Sequence, residues 1–429
     1  MDTTEENYRQ TVRLLSDRVV EAQRPIRVLD AIKWDPAVLV SFFEKDCREL
    51  PAVDAAYYAQ RPLPFDPEDK KQELHEIERD IQRQLGQFNP VGVLMQRMCR
   101  EYRMVVRMLE CRGTPEFSEL SQKLYGSAGD VFHAGDPTLF DLATMLTEAL
   151  ENIDRSALSQ QEDRTISGED AVAILQQRMR DYFHDADRRV RVRLSDGIVA
   201  DAAAGSDYIK IRKEARFSQR DLRLLEIHEG WVHVGTTLNG LNQPVCTFLS
   251  KGPPSSTVTQ EGLAIIAEIL AFASHPARLR RLTNRVRAVH MAESGANFVE
   301  VFEFYRAQSF SDIESYTNTV RVFRGSTPDG APFTKDICYS KGFVLVYNYL
   351  RLAVTRGIPE RIPLLFCGKA TLEDIRTLAG LVDEGLVAAP KYLPPVFSDL
   401  NALVSWMCYS SFLNRLNLQR IEADYAQIL

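Results

Sequence analysis

The stretch His228-Glu229-Gly230-Trp231-Val232-His233 constrains this 429-residue chain more than any other, because it sets two histidines five residues apart in a helix-like apolar segment. On a regular α-helix a spacing of four leaves side chains about 40° apart around the axis, whereas five leaves them about 140° apart. The wider angle keeps two rings from serving one centre. A π-type turn, with i→i+5 hydrogen bonding, returns them to one face. Gly230 has no Cβ to crowd such a turn. The spacing therefore predicts a helical irregularity between His228 and His233.

The helix around the motif is well marked. Ser218-Gln219-Arg220-Asp221 has the S-x-x-D pattern of a capping box, with Phe217 and Leu222 placed as a hydrophobic staple. Asn239-Gly240 supplies the stop. Downstream, Gln260-Glu261-Gly262-Leu263-Ala264 opens a second apolar helix, which the sequence caps at Thr259. Two imidazoles and a carboxylate are the protein donors of a catalytic zinc site, the fourth position being left for water or substrate. His228, His233 and Glu261 are thus candidate ligands, and Zn2+ is the candidate cofactor. Glu229, beside a ligand, is the candidate general base for an attacking water. Glu268 lies two turns after Glu261 and serves as a reserve ligand or as a carboxylate that orients a histidine. The plainer alternative is that both histidines are ordinary packing residues and that the helix dipole alone favours Glu261 in a first turn.

The remaining pattern predicts an α+β, predominantly helical chain. Apolar residues recur at helical spacing over 8–22, 72–85 and 91–109, separated by the extended connector Pro62-Leu63-Pro64-Phe65-Asp66-Pro67. The polar stretch Ser156–Ser167 marks a loose boundary, giving a helical N-terminal region over 1–155 and a zincin-like catalytic domain over 168–429. Arginines alternate with Val190, Val192 and Leu194; Asp196-Gly197 then reads as a hairpin turn before Ile198-Val199-Ala200, and Tyr208–Arg212 alternates again. These signals predict a small antiparallel sheet just before the metal motif. Further helices are expected over 260–273, 276–290, 294–308, 335–355, 371–384 and 398–416.

Charge and cysteine usage exclude several classes. A net charge of −7 argues against nucleic acid as the main partner. No apolar run is long enough to span a bilayer, so no membrane partner is expected. The polar start Met1–Arg13 lacks the pattern of a signal peptide, and the seven cysteines are scattered without a C-x-x-C pair, which suits a reducing cytoplasm.

The motifs resemble the family named for its QEGLA sequence, the flavohaemoglobin-expression-modulating proteins, whose animal relatives are the microtubule-associated tyrosine carboxypeptidases. The resemblance runs over roughly residues 30 to 415. It includes Gly113-Thr114-Pro115-Glu116-Phe117-Ser118, Leu124-Tyr125-Gly126, Ile209–Arg212, the two motifs above, and Phe333-Thr334-Lys335-Asp336 with Tyr339 and Gly342. It implies a zinc metallopeptidase with His228, His233 and Glu261 as ligands and Glu229 as base, acting on a peptide or protein C-terminus. The chain departs from the animal enzymes in carrying Gly230-Trp231-Val232 between the ligands and in its QEGLA motif, so neither tyrosine specificity nor tubulin follows.

A carboxypeptidase must also hold a terminal carboxylate. Arg212 and Lys335 are the candidate substrate-binding residues, with Lys210 and Lys341 behind them, and Tyr339 is a candidate catalytic hydrogen-bond donor to an oxyanion. Arg278, Arg280, Arg281, Arg285 and Arg287 form a basic helix, read as either a solvated face or a docking surface for an acidic tail. Trp231 suits a substrate pocket or the core equally well. Two other functions stay open: a regulatory or binding protein with a structural or vestigial metal site, and a hydrolase of non-peptide amides.

Overall fold

The computed structural model describes residues 3–151, 153, 163–185, 190–417, 421, 422 and 425. Much of the expected boundary at 156–167 lies outside these residues.

The N-terminal helices form where the periodicity predicts them: Thr3–Gln23, Pro67–Leu85 and Pro90–Glu110. Each of the last two begins with a cap followed by proline. Asp66 accepts from the Asp69 N–H, Asn89 accepts from the Gly92 N–H, and Pro67 and Pro90 take the first helical position, where no N–H is needed. The expected connector thus ends at Asp66, one residue early. Leu74, Ile77 and Ile81 face inward at spacings of three and four, against Val12, Leu15 and Val19 of the first helix. The same continuous core takes in Ile227 and Trp231, Leu263 and Ile266, and Val346, Leu350 and Met407.

The small sheet departs from expectation. Strands β1 (Arg191–Ser195), β2 (Ala202–Ala204) and β3 (Tyr208–Arg212) stand in the order β1-β3-β2, with β1 parallel and β2 antiparallel to β3. It is a mixed sheet, not an antiparallel one. Asp196-Gly197 does not close a hairpin: the chain crosses from β1 to the far edge, then turns back through Gly205 so that β3 fills the middle. Alternation fixes which side chains face inward, as Val192, Ile209 and Ile211 do here, but it carries no strand direction or order.

Helices at Pro36–Glu44, Pro115–Tyr125, Leu139–Glu151, Gly168–Tyr182 and Asp312–Phe323 escape the periodicity reading. The last two carry capping signals that could have found them, Ser167 bonded to the Asp170 N–H and a full capping box between Ser311 and Glu314. The helix around the QEGLA motif spans Ser256–Leu270, so Thr259 lies inside it and does not cap it. Glu261 consequently sits beyond the first turn, where the dipole explanation fades.

Backbone proximity explains two glycines. The helix Ser256–Leu270 packs closely on Cys338–Thr355. A Cβ on Gly342 would strike the Val258 carbonyl, and one on Gly262 would strike the Gly342 carbonyl. Only glycine lets the helices approach that far, and the approach fixes where Glu261 points.

Candidate metal centre

The expected irregularity is present and longer than a single bulge. Residues Glu226–Val234 form a π-helix, entered from the α-helix Gln219–Leu225 and left through Gly235–Leu241. Ser218 and Asp221 complete the predicted capping box at its start. In i→i+5 geometry His228 and His233 stand one turn apart, and their ring centroids lie 4.7 Å from each other.

Both rings turn toward Glu261. His228 Nε2 lies 3.2 Å and His233 Nε2 lies 3.5 Å from Glu261 Oε2. Candidate ligand atoms from all three residues fall within 4.8 Å of one another. Glu261 is 7% exposed and His228 4%. Glu261 Oε2 is buried and has no hydrogen-bond partner among the described residues. Two imidazole nitrogens and an orphaned carboxylate oxygen converging on one point fit a small divalent cation with nitrogen and oxygen ligands.

The surroundings orient this donor set. Glu268, fully buried, accepts from His228 Nδ1 at 2.7 Å and from Arg278 at 2.9 and 3.1 Å. Burial pushes its carboxyl up, but Arg278 and His228 outweigh burial and hold it below the usual range. Glu268 therefore orients a candidate ligand, the place of a carboxylate behind a metal-binding histidine. With no cation, burial works to lower His228, and the Glu261 and Glu268 carboxylates overcome it, pushing the imidazole up to about 10.

Glu229 projects from the π-helix toward the sheet, where its Oε2 accepts from the Ala204 N–H at 2.8 Å. The edge strand β2 thus fixes the candidate base. Tyr339 stacks on His228 with ring centres 6.1 Å apart. Lys335 Nζ stands 3.7 Å from Glu261 Oε1, so it faces the ligand carboxylate. Arg212 binds Asp201 at 2.5 Å and lines the cavity beside the metal centre. Lys341 is drawn instead to Asp130 at 2.7 Å, and Lys210 lies over the Tyr208 ring. Trp231 belongs to the core, stacked on Tyr182 at 5.5 Å.

Gln260 was passed over by sequence reasoning, as was Lys369. Lys369 Nζ donates to the His233 carbonyl at 3.1 Å and to Gln260 Oε1 at 2.9 Å, while Thr236 donates to the same oxygen at 2.7 Å. Burial lowers the Lys369 amine to about 7, against the pull of Glu261 and Glu229. Gln260 had a signal in its motif; Lys369 had none, since it arrives from more than a hundred residues downstream.

A cavity of about 160 Å³ opens beside His228, Glu229 and Tyr339. Six arginines line it: 164, 212, 278, 281, 285 and 321. The basic helix, Pro276–Glu293, thus turns Arg278, Arg281 and Arg285 into the cavity.

Fold and site together define a predominantly helical α+β protein with a buried His–His–Glu cluster able to hold a metal ion. Its family follows from comparison with known ones. The model of the microtubule-associated tyrosine carboxypeptidase family matches residues 40–415, and the chain belongs to that family. A comparison with curated proteins gave no match.

Proposed function

We propose that this protein is a zinc-dependent carboxypeptidase that hydrolyses a peptide bond at the C-terminus of a peptide or protein in the cytoplasm. The observation that carries this reading is the convergence of His228, His233 and Glu261 beside Glu229, in a chain of a carboxypeptidase family. Its helix-borne Gln260-Glu261-Gly262-Leu263-Ala264 motif further supports a place in the QEGLA branch.

His228 and His233 would hold zinc through Nε2 and Glu261 through Oε2. When bound, zinc supplies Lewis acidity to the scissile carbonyl and to water. Glu229 takes a proton from the attacking water and delivers it to the leaving amine. Its bond from Ala204 fixes the carboxylate for that transfer. Tyr339 donates a hydrogen bond to the oxygen of the carbonyl as negative charge develops on it. Lys335 adds to the pull of His228 and His233 that keeps Glu261 ionised, and Arg212, paired with Asp201, shapes the cavity wall. The basic lining suits an acidic tail as substrate.

The test is release of C-terminal amino acids from a peptide library by the zinc-loaded protein. Replacing the base, Glu229→Gln, should retain the metal and reduce turnover by roughly 10²–10⁴-fold. Undiminished turnover in that variant would remove Glu229 from its role.

A further inference from the structure

The arginines of the cavity fall into two groups. Arg278 is held by Glu268 at 2.9 Å, Arg321 by Asp336 at 2.7 Å, Arg212 by Asp201 at 2.5 Å and Arg164 by Asp221 at 2.9 Å. Arg281 and Arg285 make no salt bridge or hydrogen bond among the described residues. Burial and the neighbouring Arg164 work against the charge of Arg281, and Asp201, Asp221 and Glu314 offset them only in part. Arg285 is the sharper case, because its Nε and Nη1 are buried as well as unsatisfied.

A buried guanidinium with idle donors is costly unless something supplies acceptors. Its position says what that would be. The Arg285 guanidinium lies 4.5 Å from the centre of the Tyr339 ring, which lies 6.1 Å from the ring of the candidate ligand His228. Arg285 therefore lines the same cavity as His228 and stands within roughly three extended residues of it, the reach of a short C-terminal segment. A carboxylate is the planar anion that matches an arginine fork.

We infer that Arg285, with Arg281 one helical turn before it, binds the free α-carboxylate of the substrate's last residue. The inference rests on the carboxypeptidase reading and deepens it. The distance from His228 makes the site read a chain end, and a chain continuing past that point would meet the Arg285 wall. The paired arginines stay neutralised by their own carboxylates, so they add shape without competing for the ligand.

Binding and turnover separate the two claims. Zinc-loaded Glu229→Gln protein is titrated with a hexapeptide library bearing free C-terminal carboxylates and with the same library amidated. The free acids should bind roughly 10- to 100-fold more tightly. Adding Arg285→Gln should abolish that difference, and Arg285→Lys should keep part of it. Equal binding of acids and amides, no binding of either, or an acid preference that survives Arg285→Gln overturns the assignment. Zinc content reports the fold of each variant. Should Arg285→Gln not fold, the Arg285→Lys protein decides, and an undiminished preference in it overturns the assignment. Amino-acid release by the unsubstituted protein is scored apart. An acid preference without release leaves the carboxylate assignment standing and removes the peptidase reading.

Discussion

At the scale of single residues, the centre depends on groups that set the direction of others. Glu268 is the clearest, because it is fully buried and joins His228 to Arg278. Glu268→Gln should weaken zinc binding by roughly 10- to 100-fold, read by competition with a chelator of known affinity. Unchanged affinity would show that His228 needs no carboxylate behind it. The candidate centre was legible in the sequence, since His228, Glu229, His233 and Glu261 lie in two short motifs. Lys369, Arg164 and Arg321 were not, because they come from distant segments and look like ordinary surface charges until the fold buries them.

At the scale of elements, a π-helix and a close helix pair build the site. The π-helix was legible because a five-residue histidine spacing has only one helical solution that puts both rings on one face. The helix crossing was not, since a glycine in an apolar helix carries no mark of what approaches it. Gly342→Ala puts a methyl group against the Val258 carbonyl and should force the helices apart. The expected cost is about 3 kcal/mol of stability, measured by denaturant unfolding. Zinc affinity should fall with it, because Glu261 rides on the displaced helix. A variant with undiminished stability and affinity would show that the contact does not position Glu261. The sheet shows the other limit of sequence reading: alternation gave the inward faces of β1 and β3 but neither their parallel pairing nor the insertion of β3 between its neighbours.

At the scale of the molecule, one hydrophobic core joins the N-terminal helices to the helices that carry the candidate ligands. Among the described residues no helix is long and apolar enough to cross a membrane. A metal that binds only the folded chain stabilises all of it, by about 4 kcal/mol when free zinc is a thousandfold above Kd. Chelation should therefore lower the Tm of the protein, and added zinc should restore it. The His228→Ala, His233→Ala double variant should melt at one temperature with or without chelator; a chelator effect that persists in it would place the stabilising metal elsewhere.

The central claim is that His228, His233 and Glu261 hold one zinc ion, and metal content tests it most directly. Mass spectrometry of the purified protein should find about one zinc per chain, and none in the His228→Ala, His233→Ala variant. Zinc retained in the double variant, or absent from both proteins after incubation with the metal, would contradict the account.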